Sequence, residues 1–209
     1  MEEKKIIHIP NLSIGNTKSV INMISRIGGK VIMANSPDEL LNAKKIILPG
    51  VGSYDIGMRE LHDDEWIGTL NKLVIDQKVP VLGICLGMQL FFNNSEEGTE
   101  SGLGWIPGHL KKFVSEENNP IKIPHMGWNA VNVLRKDGLI PAFNDEELRY
   151  YFVHSYHAIC ENQEDLVATA FHGSNITAAV QKNNIYGVQF HPEKSHRFGM
   201  DLLTNFLSL

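Results

Sequence analysis

Val79-Pro80-Val81-Leu82-Gly83-Ile84-Cys85-Leu86-Gly87-Met88-Gln89 constrains the fold of this chain more than any other stretch. An apolar run meets Gly83-Ile84-Cys85-Leu86-Gly87 and passes at once into an apolar helical pattern through Met88, Leu90 and Phe91, which reads as strand, sharp turn and helix. Glycines two residues either side of Cys85 remove Cβ atoms that would clash if the central residue took a strained backbone conformation, as a nucleophile elbow requires. Such a turn lifts the sulfur to the mouth of a sheet and sets it at a helix N-terminus, where unpaired N–H groups and the helix dipole favour thiolate over thiol. The same residues fit a small apolar cysteine in a tight connection equally well. Other parts of the chain have to decide.

The 209 residues, 43% hydrophobic and 21% charged, are ordinary for a globular chain, and a single α/β domain over residues 1–209 is expected. A formal net charge of -5 without any Lys/Arg block argues against nucleic acid or an anionic membrane as the main partner. No apolar run approaches a membrane span, and Met1-Glu2-Glu3-Lys4-Lys5 leads into the strand-like Ile6-Ile7-His8-Ile9 rather than a signal-peptide core, so a cytoplasmic protein is expected. Cys85 and Cys160 show no pairing pattern, which fits a reducing compartment and excludes a disulfide scaffold or a Cys-x-x-Cys metal site.

In chain order, Lys5 to Ile9, Lys30 to Met33, Lys45 to Leu48 and Val79 to Leu82 read as strands. Between them come a helix through Val20, Ile21, Ile24 and Ile27 stopped by Gly28-Gly29, a helix start at Ser36-Pro37-Asp38-Glu39, and an amphipathic helix through Ile67, Leu70, Leu73 and Val74. Gly15-Asn16-Thr17-Lys18-Ser19 is not a phosphate loop, because Thr17 stands where glycine is needed. Strands alternating with helices imply an open, mostly parallel central sheet with helices on both faces. The second half is β-rich. Leu110 to Phe113, Ile121 to Ile123 and Asn129 to Val133 suggest antiparallel hairpins at the sheet edge, with Pro124 to Asn129 a loop-like island among them. Tyr150 to His157, Leu166 to Phe171, Ile176 to Gln181 and Ile185 to Phe190 continue the strands, and Arg197 to Leu207 closes with a helix.

Two further segments fall where an open α/β sheet places its sites. Pro49-Gly50-Val51-Gly52 follows the third strand, and its glycines let peptide N–H groups face a ligand, half of an oxyanion hole; it reads equally as a plain turn. His191-Pro192-Glu193 ends a strand, with an acid positioned to orient an imidazole; alone it is also an ordinary surface turn. Together with Cys85 it makes a nucleophile, base and orienter.

These three segments, in this order and separation, resemble the class I, triad-type glutamine amidotransferases. More narrowly, Ile123 to Asn129, Tyr151 to Tyr156 and His191-Pro192-Glu193-Lys194-Ser195 look like the glutaminase subunits of imidazole glycerol phosphate synthases. The resemblance covers essentially the whole chain and implies a flavodoxin-like α/β fold with a smaller antiparallel β portion. It implies that Cys85 attacks the amide of L-glutamine, His191 moves the protons and Glu193 holds the imidazole. Gly50, Val51, Gly52 and Leu86 would form the oxyanion hole, Gln89, His154, Ser155 and Tyr156 the glutamine pocket, and Trp128, Tyr151 and Lys194 the contact with a partner. That partner would be a (β/α)8-barrel cyclase in a heterodimer, receiving ammonia for histidine biosynthesis; no cofactor or metal is expected.

Departures from the family pattern leave alternatives open. Ile9 to Asn16 replaces the usual loop after the first strand, and His157 with Ser195-His196-Arg197-Phe198-Gly199 looks closer to paralogues that supply ammonia to bacterial surface sugars. A catalytically silent regulatory subunit is the reading from another class, and the intact Cys85, His191 and Glu193 argue against it.

Overall fold

Parallel strands joined by helical crossovers form where β-branched runs alternate with amphipathic stripes, and the first half of the chain does this repeatedly. A computed structural model describes residues 5–63, 65–136, 138–140 and 147–209. Met1 to Lys4, read above as a polar lead-in, lie outside the described residues. Strands β1 (Ile6–Pro10), β2 (Lys30–Ala34), β3 (Ile46–Gly50) and β4 (Val81–Cys85) alternate with helices α1 (Thr17–Arg26), α2 (Pro37–Leu40), α3 (Tyr54–Asp63) and α4 (Trp66–Asn71). The last continues as a π-helical turn, Lys72–Asp76. Helix α3 was not anticipated. Gly57 lowers its propensity, but Tyr54, Met58 and Leu61 make a buried stripe at helical spacing, and burial wins.

After β4 a single turn of helix, α5 (Leu86–Gln89), leads to β5 (Asn94–Ser95), β6 (Gly108–Lys112), β7 (His125–Val133), β8 (Arg149–His154), β9 (Tyr156–Cys160), β10 (Leu166–His172), β11 (Ser174–Lys182), β12 (Ile185–Val188) and helix α6 (His196–Ser208). Among the described residues the main sheet has nine strands in the order β2-β1-β3-β4-β12-β11-β10-β7-β8, parallel from β2 to β12 and antiparallel beyond it. A second sheet, β5-β6-β9, covers part of one face.

Several local expectations need correcting. Strand β3 runs through Pro49 and Gly50, so only Val51 and Gly52 are loop. Ile121 to Ile123 is not a strand, since Pro120 and Pro124 bracket it and neither can donate to a ladder. Pro124 to Asn129 is no loop beyond its proline: His125 to Asn129 open β7, in register with β8 from His125↔His154 onward. The strand through Tyr150 to His157 breaks at Ser155, where the chain leaves the main sheet for the second one.

Alternation along the central strands produces two cores. Ile46, Leu48 and Val81 face one way, toward Tyr54, Trp66, Leu70 and the second sheet's Leu110; Ile47, Leu82 and Ile84 face the other, toward Ile24, Leu202 and Phe206 of α1 and α6. Both faces of the parallel half are therefore covered, which places the functional edge at the carboxyl ends of β3, β4 and β12.

Candidate active site

Cys85 closes β4 with φ 54° and ψ -110°, a left-handed backbone that a side-chain-bearing residue rarely adopts. The flanking glycines make this possible by close approach. A Cβ on Gly87 would lie 1.7 Å from the Leu48 carbonyl oxygen, and one on Gly83 2.6 Å from the Met88 nitrogen. The sequence argument for the elbow holds, but its helix is one turn long, so nearby amides of α5 matter and an extended dipole does not.

His191 reaches the same point from the far end of the chain. Strand β12 lies parallel to β4 with Val188 beside Ile84, and three residues later the His191 backbone N–H donates to the Tyr151 carbonyl of β8 at 2.8 Å. Ser195 pins this corner: its hydroxyl donates to the His191 carbonyl at 2.6 Å and accepts from the Tyr151 N–H at 3.0 Å. Nδ1 of His191 lies 2.8 Å from Oε1 of Glu193, with both side chains buried. The contact arises from the tight 3-10 turn Pro192–Lys194 rather than from two residues projecting off one extended strand. Among the described residues Nε2 of His191 has no hydrogen-bond partner of ordinary geometry. Burial pushes the ring's proton affinity down, and Cys85 and Glu193 more than offset this, lifting its pKa to about 9.

Cys85 and His191 both open onto a cavity of about 350 Å³, which Val51, Gly52, Leu86, Gln89, His154, Ser155 and Tyr156 also line. Gly50 and Glu193 do not line it. Gly50 sits beside Cys85 in the β3–β4 ladder, and Glu193 pairs with the imidazole. Glu97, Pro124 and Val153 complete the wall. Glu97 was not legible in advance, because it comes from a polar connection whose path only the tertiary structure sets; one of its oxygens accepts from the Tyr54 N–H at 3.0 Å.

Hydrogen bonds behind the cavity leave little choice of proton position. Nδ1 of His154 donates to the Tyr156 carbonyl at 2.8 Å, so its Nε2 accepts from Nδ1 of His125 at 2.9 Å, and Nε2 of His125 accepts from the Asn129 amide at 3.0 Å. Both rings are neutral in this arrangement. Burial, reinforced by neighbouring histidines, pushes His154 down to about 3 and His125 to about 4. Gln189 is a second residue that the sequence reading passed over, although a polar side chain between Val188 and Phe190 in a buried run was a signal.

Trp128, Tyr151 and Lys194 stand apart from the cavity and make one surface cluster. The Trp128 indole stacks on His196 at 5.4 Å, meets Tyr151 edge-on at 6.3 Å, and Nζ of Lys194 lies 5.7 Å from the Tyr151 ring centroid. Trp128 is 41% exposed and Met126, on the same strand, 61%. Among the described residues no group of His, Cys, Asp and Glu is placed to hold a metal, and no helix is long and apolar enough to cross a membrane.

The family model for class-I glutamine amidotransferases matches residues 9–209. The chain is 49% identical over 202 residues to imidazole glycerol phosphate synthase subunit HisH 2 of Methanococcus maripaludis, an alignment covering 97% of this chain and 98% of that protein. It is 41% identical over 204 residues to the subunit HisH 2 of Pseudomonas aeruginosa, covering 98% and 100%. Among solved structures, PurLQS from Thermotoga maritima superposes with a TM-score of 0.74 at 18% identity over 97% of each chain, a likeness of fold. On the match of the family model and of these relatives, the chain belongs to the class-I glutamine amidotransferase family.

Proposed function

We propose that this chain is the glutaminase subunit of an imidazole glycerol phosphate synthase, hydrolysing L-glutamine to glutamate and ammonia. The observation that carries the reading is the convergence of Cys85 and His191 on one cavity, with Glu193 hydrogen-bonded to the far side of the imidazole. The contacts of His191 with Cys85 and Glu193 raise the proton affinity of its ring, which favours transfer of the Cys85 thiol proton to the imidazole. The sulfur adds to the side-chain carbonyl carbon of glutamine. Its oxygen takes the negative charge, met by the backbone N–H of Leu86 and one from the Gly50 to Gly52 segment, donors worth roughly 2.7 to 4 kcal/mol each. His191 returns its proton to the amide nitrogen, the C–N bond breaks, ammonia leaves and a glutamyl thioester remains. A water that gives its proton to His191 then attacks the thioester, releasing glutamate and the thiol.

Substrate recognition follows from the cavity wall. Glu97 supplies the negative charge that an α-ammonium group needs, and Gln89, His154, Ser155 and Tyr156 supply polar and shape contacts. The surface cluster of exposed Trp128 and Lys194 with half-buried Tyr151 suits docking of a barrel-type cyclase, which would take the ammonia before bulk water protonates it. A cytoplasmic heterodimer acting in histidine biosynthesis is the setting we infer. The relatives' names do not favour the surface-sugar role or the silent-subunit role. The test is to mix the chain with its cyclase and acceptor: glutamate release from glutamine and rescue of a histidine auxotroph are expected, and Cys85→Ala should abolish both. Full glutaminase activity in that variant would refute the mechanism.

A further inference from the structure

Gln189 is fully buried, 0% exposed, yet carries an amide into an otherwise apolar run. Its orientation can be read from its neighbours. The Tyr156 carbonyl oxygen only accepts, so the atom of Gln89 that lies 3.1 Å from it is the amide nitrogen. That nitrogen's second hydrogen points to Oε1 of Gln189 at 3.0 Å. Nε2 of Gln189 is thereby left facing Sγ of Cys85, at 3.7 Å. Turning either amide over would set oxygen against oxygen or leave two N–H groups facing one another. His154 donates to the same Tyr156 oxygen at 2.8 Å, so both lone pairs of that acceptor are used and the direction of the chain is locked. On its other side the Cys85 sulfur lies 3.9 Å from the Val153 carbonyl oxygen, an acceptor for the thiol proton.

We propose that Gln189 is a catalytic residue whose side-chain N–H donates to the Cys85 sulfur and stabilises the thiolate formed when His191 takes its proton. A donor aimed at the charged form of an acid favours that form. Sulfur in the thiol form gains little from the same N–H, so the interaction strengthens as the nucleophile is generated. Gln89 has a second duty beside lining the cavity: it fixes which face of Gln189 meets the sulfur. The proposal rests on the glutaminase reading and deepens it, since neither Gln189 nor its N–H touches the space where substrate would sit.

Two variants test it in the full chain. Gln189→Met keeps the volume and removes the donor; Gln189→Asn keeps an amide and withdraws it from the sulfur. Thermal melts confirm folding, and alkylation of Cys85 by iodoacetamide, located by peptide mass spectrometry to separate it from Cys160, is followed against pH. Both variants should react about 3- to 10-fold more slowly than the unsubstituted chain at neutral pH and recover its rate in alkaline solution, where thiolate forms unaided. With the cyclase bound, kcat should fall about 10- to 100-fold while KM stays within about twofold. A pH profile of alkylation that matches the unsubstituted chain in a folded variant overturns the proposal. Should neither variant fold, the side-chain N–H resonances of Gln189 in the unsubstituted chain decide: they should move with the pH midpoint of Cys85 alkylation, and pH-independent resonances overturn the proposal. Alkylation needs neither glutamine nor partner, so absence of glutamate release from the unsubstituted complex would count against the glutaminase reading alone.

Discussion

Glu193 acts on the His191 ring through one hydrogen bond of 2.8 Å between two buried side chains, where low dielectric makes a single charge count. Glu193→Gln keeps an acceptor and removes the charge. The His191 pKa is expected to fall from about 9, and kcat by roughly 10²- to 10⁴-fold with little change in KM. NMR titration of the ring and steady-state kinetics check this, and an unmoved titration midpoint contradicts it. The buried histidines also set how stability depends on pH. His154 and His125 titrate near 3 and 4 in the folded chain and near 6.5 when unfolded, so the unfolded state binds more protons between those values. Their contribution is present above pH 6.5 and is lost as pH falls toward 3. His191 has the opposite sign: raised from 6.5 to about 9, it contributes below pH 6.5 and loses that contribution as pH rises through 9. These three groups together favour a maximum in thermal stability near pH 6.5. Melts across the acid range that stayed flat between pH 4 and 6.5 would show that the His125–His154 pair is not buried neutral.

At the level of elements, the elbow is a contact between β3, β4 and α5 as much as a turn. Gly87 lets the first turn of α5 press against the Leu48 carbonyl, and no side chain fits between them. Gly87→Ala is expected to destabilise by about 3 kcal/mol or more through forced movement of β3, and to misplace the Val51–Gly52 segment that lines the same cavity as Cys85. Urea unfolding measures the first effect and glutaminase assay the second. Element type was legible wherever burial and propensity agreed, as in β1, β4, α1 and α6. It was not legible at α3, where Gly57 disguised a buried stripe, or at β7, where the polar and aromatic residues from His125 to Asn129 looked like loop. In β7 the alternation is real, with His125 buried and Met126 exposed, but the buried partners are histidines and Phe152 rather than aliphatic side chains.

Over the whole molecule, the site depends on a long-range pairing. Strand β12 lies against β4 although about a hundred residues separate them, and that adjacency brings a histidine near the C-terminus to a cysteine in the first half. On the outer surface the antiparallel β7–β8 pair presents Trp128 and Tyr151 beside Lys194, directly next to the strand end that carries His154. Trp128→Ala is expected to weaken binding of the cyclase by about 2 kcal/mol or more, some 30-fold in Kd, while unfolding of the isolated chain changes little. Calorimetric titration with the cyclase measures the first and thermal melting the second; unchanged affinity would place the docking face elsewhere. By itself the sequence determined the elbow at Cys85 and the alternation of strands and helices, because these follow from local sterics and from burial patterns within a few residues; His191 and Glu193 stood out only when set beside Cys85 and through the family resemblance. Only the tertiary structure decided that Glu97 and His154 line the cavity and that Gln189 and His125 stand behind it, against Cys85 and His154. Their positions come from strand order and crossover, and a polar residue carries no local mark of which distant group will face it once buried.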